Sequence, residues 1–192
     1  MKYVRYWVEE DTLIVEGKFF GVSTGLLGGW KKVRYAFNHK VGEEFYSSDP
    51  ADYLRNVAKK LGLKSYFGLL TAVPMENLSV ERKDDVTVFV TAGVNNPNEK
   101  IGTINVIAAI DARMSRSALL NSIITITEAK SKALLESGYR FTGTNTDAVI
   151  VLSTQRGKYY RFSGPASDLG NKIWNCVCEG VKKSLKKWDD FE

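Results

Sequence analysis

Between residues 86 and 152 the chain carries a strand–helix–strand crossover with clearly marked ends, and few folds can accept it. Residues 86–91 are rich in β-branched side chains and read as a strand. Residues 102–110 read as its antiparallel hairpin partner, across a turn at 93–100 that carries Asn95-Asn96-Pro97-Asn98. Ser115 is placed to cap a helix that runs to about Ser137, with Gly138 as its stop. Leu119, Ile123, Ile126, Ala129, Ala133 and Leu134 recur near helical spacing along it. Residues 146–152 form the next strand. A helix of this length carries the chain back across a sheet, so the strand starting near Thr146 runs parallel to the one starting near Thr103.

A similar unit is expected at 33–72. Asp49 and Pro50 open a helix there and Gly62 closes it, between strand-like stretches at 33–38 and 66–72. Residues 3–8 and 12–16 read as a hairpin, and 19–24 as a further strand. Gly25-Leu26-Leu27-Gly28-Gly29 reads as a turn or a loop with close backbone contacts. The first strand of each unit carries an asparagine, Asn38 and Asn105. The last carries Thr71-Ala72 or Thr146-Asp147-Ala148. This suggests two related halves. The expected class is α+β, a mixed sheet with covering helices. With 192 residues and no low-complexity linker, the expectation is one domain over 1–192.

The remaining bulk features exclude more than they assign. No apolar run approaches the roughly 20 residues of a membrane span. The N-terminus lacks the apolar core and cleavage site of a signal peptide, so a cytoplasmic protein is expected. Cys176 and Cys178 are two apart in a helical segment, where they point about 200° apart and cannot pair. Net charge is +5. Lys172, Lys182, Lys183, Lys186 and Lys187 read as the solvated side of a C-terminal helix whose apolar side is Leu169, Ile173, Val177, Val181 and Leu185. A basic nucleic-acid-binding surface is the alternative reading of those lysines, although no Arg-aromatic pattern accompanies them.

Short polar and glycine-rich segments interrupt the apolar elements. Thr103 and Asn105 share one strand face, because side chains alternate with period two. A symmetric turn would set Thr91 opposite Thr103 on that face. Thr91, Thr103, Thr144, Thr146 and Asp147 should then gather at one sheet edge, with Glu128 on the helix running toward it. That edge uses the amino ends of two parallel strands, whereas ligands of open parallel sheets sit beyond carboxyl ends. Singly, each of these residues is at home in a strand or turn. Glu128, for example, is four residues from Lys132 and spaced for a surface ion pair.

The segments Thr91-Ala92-Gly93-Val94-Asn95, Gly102-Thr103-Ile104-Asn105, Thr127-Glu128-Ala129-Lys130 and Thr142-Gly143-Thr144-Asn145-Thr146-Asp147-Ala148 follow one another in this order. Upstream stand Ser23 through Gly29, Asn38 and Leu69-Leu70-Thr71-Ala72; downstream, Gly164-Pro165 leads to Gly170. The ordered set resembles the signature of the adenosylcobinamide amidohydrolases and covers residues of about 20–180. Ser167 stands where the resemblance leads us to expect Thr, and the C-terminal tail has no counterpart in it.

The resemblance implies hydrolysis of the aminopropanol amide of adenosylcobinamide in corrinoid salvage, a route associated mainly with archaea. An amide is a poor electrophile with a poor leaving group, so such a site needs a nucleophile, oxyanion donors and a proton for the amine. Chemistry by residue type assigns Glu128 or Asp147 as a general base acting on water or on the hydroxyl of Thr103 or Thr146. Asn105, Asn38 and backbone amides near Gly93 or Gly143 would hold the oxyanion. Thr71, Thr91, Asn95 and Thr144 would complete the substrate contacts. His39 is the sole histidine, which argues against a histidine triad or a His-rich zinc site. The cobalt belongs to the substrate, and a divalent ion held by carboxylates stays open. A corrinoid-binding relative without hydrolase activity is the alternative within the family.

Overall fold

The computed structural model describes residues 2–96 and 101–190, the side chains of 95, 96 and 101 excepted. The strands are β1 (Arg5–Glu9), β2 (Thr12–Ser23), β3 (Gly29–Lys40), β4 (Tyr66–Thr71), β5 (Ser79–Lys83), β6 (Val86–Asn96), β7 (Ile101–Ile110), β8 (Arg113–Met114), β9 (Ala148–Ser153) and β10 (Tyr159–Tyr160). The helices are α1 (Pro50–Lys60), α2 (Arg116–Glu136) and α3 (Asp168–Asp189). This is an α+β fold.

Both crossovers form. β3 and β4 are parallel neighbours with Asn38 level with Leu69, and β7 and β9 are parallel neighbours with Asn105 level with Ala148. Their helices start where side chains satisfy the free first-turn amides. Asp49 accepts from Ala51 N and Asp52 N at 2.9 and 3.0 Å, and Ser115 Oγ accepts from Ala118 N at 3.0 Å. Gly62 and Gly138 follow their helices at φ 68° and 90°.

Among the described residues one sheet has the order β4-β3-β2-β9-β7-β6-β5. β1 pairs with the first half of β2 on the edge where β9 pairs with its second half. The sheet bends so that its two halves face each other. Leu13, Val15, Phe67 and Leu69 from one half share an apolar cluster with Phe89, Ile107, Ile150 and Leu152 from the other. Outside β6, β7 and β9, helices α2 and α3 bury Leu119, Ile126, Ile173 and Val177. Outside β2 and β3, α1 buries Tyr53, Leu54 and Val57 against Ile14 and Phe37. Strand β7 shows the alternation: Ile104, Val106 and Ala108 face the helices, while Ile107 and Ala109 face the inner cluster. A fully buried side chain of this kind contributes roughly 1.5–3 kcal/mol.

Several expectations change. The stretches 12–16 and 19–24 are one strand, kinked by a bulge between Glu16 and Phe19. β5 was not read, because its Glu81, Arg82 and Lys83 mask an edge strand. β6 runs on to Asn96 where a turn was expected from Gly93, and residues 97–100 of that turn lie outside the described residues. Thr91 stands opposite Asn105, and Gly93 opposite Thr103, a shift of two that leaves them on one face. β9 begins at Ala148, so Thr146 and Asp147 belong to the preceding turn.

The C-terminal lysines are not a free solvated row. Lys172 is buried and sits 3.3 Å from both Asp84 and Asp85 and 3.0 Å from the Tyr160 hydroxyl. Lys182 pairs with Glu136 at 2.6 Å and Lys183 with Glu81 at 2.8 Å. Lys187 bonds the Leu78 carbonyl at 2.7 Å. Cys176 and Cys178 are buried and free, their thiols pushed up by burial, Cys176 to about 11. No helix of the described residues is long and apolar enough to cross a membrane.

His39 lies under α1, with Nδ1 2.8 Å from Thr12 Oγ1 and Nε2 3.4 Å from the Tyr53 hydroxyl. Burial holds its pKa below the ordinary value, against the pull of Asp11 and Glu44. The unfolded chain therefore binds a proton more readily, and stability falls as pH drops from about 6.5 toward the lowered value. Urea midpoints at pH 7 and about 5.5 should differ less for His39→Gln than for the native chain. An equal pH response in both would show that His39 is not the titrating group.

Candidate active site

The expected edge closes around a cavity of about 480 Å³. Its wall takes Thr71 from the carboxyl end of β4, Thr103 from the amino end of β7, and Thr146 and Asp147 from the turn before β9. The bent sheet thus brings carboxyl ends of one parallel pair against amino ends of the other, and both kinds of strand end meet at one site. Thr24 and Leu26 of the Gly-rich loop, and Val41, Phe45, Tyr46 and Pro50 beyond β3, complete the mouth. The volume lies within the range of small-molecule sites.

Asp147 organises the helix side of the cavity. Its Oδ1 accepts from Ile104 N at 2.9 Å and Thr144 Oγ1 at 2.6 Å; its Oδ2 accepts from Thr144 N at 3.1 Å and from Lys130 Nζ. The side chains of Lys130 and Asp147 are 9% and 13% exposed, so this is an ion pair largely withdrawn from water. Four donors occupy the four lone-pair positions of the carboxylate, which leaves it a strut rather than a free base. A Cβ at Gly143 would fall on Lys130 Nζ and Asp147 Oδ2, so a larger residue there would displace the ends of the pair. Gly102 has φ 151°, and a Cβ there would fall on the Gly93 carbonyl.

The hydroxyls form a relay. Thr103 Oγ1 lies 2.9 Å from Thr146 Oγ1, which lies 2.8 Å from the Gly102 carbonyl. Thr144 Oγ1 is also 2.8 Å from that carbonyl, but its shorter contact to a carboxylate takes its proton. Thr146 therefore donates to Gly102, and Thr103 donates to Thr146. Thr71 Oγ1 accepts from Val73 N at 3.0 Å, which leaves its own proton to point elsewhere.

Behind the wall the two halves are stitched together by amides. Asn105 Nδ2 donates to Asn38 Oδ1 at 2.9 Å and to the Leu70 carbonyl at 2.8 Å, and Asn38 Nδ2 donates to Thr91 Oγ1 at 2.8 Å. Asn38, Thr91 and Asn105 are each buried. Both protons of Asn105 are thus committed, so in this arrangement it has none to give an oxyanion. Its Oδ1 is buried and has no hydrogen-bond partner among the described residues.

Two expected participants are elsewhere. Glu128 is exposed in a shallow surface hollow with Ser131 and Lys132. It is two residues from Lys130, hence about 200° round the helix from the face that meets Asp147. Lys132 pairs with Glu136 instead. Gly93 backs onto Val73 and Trp188 and is absent from the cavity wall. The side chain of Asn95 lies outside the described residues. Lys130 was missed, although Ile126 and Leu134, four residues either side of it, mark it as part of the buried stripe. Among the described residues, no group of three or more His, Cys, Asp or Glu side chains is placed to hold a metal ion.

Comparison with known proteins adds an independent line. The family model described as adenosylcobinamide amidohydrolase matches residues 4–192. A Methanosarcina mazei protein named adenosylcobinamide amidohydrolase is 43% identical over 95% of this chain and 98% of its own length. A Halobacterium salinarum protein of the same name is 29% identical over 88% of this chain and 80% of its own. A solved structure, the PH0078 protein from Pyrococcus horikoshii OT3, aligns with a TM-score of 0.47 at 9% identity, covering 97% of this chain and 82% of that one. By its match along almost the whole length, the chain belongs to the adenosylcobinamide amidohydrolase family.

Proposed function

We propose that this chain hydrolyses the amide joining aminopropanol to a propionate of adenosylcobinamide, giving adenosylcobyric acid and 1-amino-2-propanol. The observation that carries the reading is convergence: the separate family segments around Thr71, Thr103 and Thr146-Asp147 meet in the wall of one cavity. A cavity of about 480 Å³ admits an amide-bearing arm and leaves the corrin ring at the mouth. There Leu26 and Tyr46, 43% and 75% exposed, offer apolar surface to a ring face.

In this reading Thr103 Oγ1 attacks the amide carbonyl carbon. Its proton passes to Thr146, whose own proton turns from the Gly102 carbonyl to the departing nitrogen as the C–N bond breaks, leaving an ester on Thr103. Water then adds to the ester and releases the carboxylic acid, its proton restoring the Thr103 hydroxyl. The free proton of Thr71 faces the oxyanion. Asp147, clamped by Lys130, fixes Ile104 N and with it the position of Thr103. The cobalt remains part of the substrate throughout.

Incubating purified protein with adenosylcobinamide, with and without EDTA, and following both products by mass spectrometry tests the reading. Release of both products is expected. Corrinoid binding without release would make the chain a binding protein, and loss of turnover in EDTA would assign a divalent ion a role. Glu128→Gln should retain near-native turnover in the same assay; a large loss would return Glu128 to the site.

A further inference from the structure

The end of β9 remote from the amide-cleaving cavity holds a second built feature. The edge of β2 is shared, with β1 pairing it up to Glu16 and β9 pairing it from Phe20. The register passes over Gly17 and Lys18, and the segment after β9 turns there through Gln155 at φ 55°. The result is a notch in the sheet edge, a cavity of about 300 Å³. Lys2, Arg5, Lys18, Arg34 and Arg156 line it against one lining carboxylate, Glu16.

That carboxylate is already committed. Glu16 accepts from Arg5 at 2.6 Å and from Arg34 at 3.1 and 2.8 Å, and the Arg34 bonds are the main cause of its lowered pKa. It braces the two guanidiniums without consuming all their donors. Asp111, just outside, fixes the rim by accepting from Lys2 N at 3.0 Å and Thr154 Oγ1 at 3.1 Å. Lys2, Lys18 and Arg156 have no side-chain carboxylate partner among the described residues. Arg156 instead lies 4.7 Å from the centre of the Tyr3 ring. An adjoining hollow adds Lys32 and shares Lys18 and Arg34. The lining side chains carry a local excess of four positive charges.

We propose that the notch binds a small polyanion of the di- or triphosphate class. Clustered cations of a cavity this size surround adjacent phosphoryl groups. A nucleic-acid backbone would instead need a stripe of cations along a face. The site is independent of the amide-cleaving cavity, which lies at the opposite end of β9.

Titration calorimetry of the full chain with inorganic pyrophosphate at low ionic strength tests this. The native chain should bind, and Lys18→Ala with Arg156→Ala should weaken binding at least about tenfold. Lys132→Ala with Lys186→Ala, which removes exposed cations on α2 and α3 away from the notch, should leave binding unchanged. Native-level amide hydrolysis in the Lys18/Arg156 variant would confirm that it folds. Absence of binding, or equal weakening in both double variants, overturns the proposal. Tighter, steeply salt-dependent binding of an RNA oligonucleotide would overturn it in favour of a nucleic-acid face.

Discussion

Replacing Lys130 with Met is expected to lower the melting temperature by about 10 °C. The substitution leaves Asp147 with a charge in a site where it is 13% exposed and has lost its only cationic partner among the described contacts. Removing one member of a buried ion pair costs about 3–5 kcal/mol. For a chain of this size each kcal/mol shifts the midpoint by roughly 2–4 °C. Asp147→Asn should cost less, since an amide oxygen can still accept from Ile104 N, but it forfeits the bond to Lys130 or to Thr144. Both variants should lose turnover, because the carboxylate holds the backbone next to Thr103. Thermal unfolding within a degree or two of the native chain for Lys130→Met would mean that water replaces the ammonium, and the strut role would fall.

Thr103→Val keeps the volume of the side chain and removes the oxygen. If Thr103 attacks the amide, kcat should fall by about 10²–10⁴-fold, the worth of positioned proton transfer, with a larger loss if no ester can form. Thr103→Ser should recover much of the rate, because it restores the hydroxyl 2.9 Å from Thr146. Thr146→Val should show an intermediate loss, as it breaks the relay to the Gly102 carbonyl while leaving the attacking oxygen. Mass spectrometry of quenched Thr103 enzyme would seek the ester directly. Native turnover in Thr103→Val would transfer the attack to water.

Much of the frame was legible because local chemistry and tertiary need agree. Asp49 and Ser115 are caps in sequence and in space, and the apolar spacing of α2 matches the face it buries. The period-two rule kept Thr91, Gly93, Thr103 and Asn105 on one face even though the pairing register was off by two. What escaped was set by distant partners. Whether Glu128 or Lys130 turns inward depends on where α2 lies over the sheet, and residue type alone favoured the carboxylate. The donors of Asn105 are spent on Asn38 and Leu70, which are 67 and 35 residues away. No local pattern records that the sheet bends, so nothing placed Phe45 and Tyr46 at the mouth.

The stitching of the two halves also dictates an order of events. The contacts that shape the candidate cavity span 67 residues for Asn38 with Asn105, 53 for Asn38 with Thr91 and 43 for Thr103 with Thr146. Links of long sequence separation are slow to form, because chain entropy is lost before they reward it. Each crossover can acquire its helix early, and the cavity exists only once the halves have docked. In refolding from urea, regained amide hydrolysis should therefore lag behind the circular-dichroism signal of the helices.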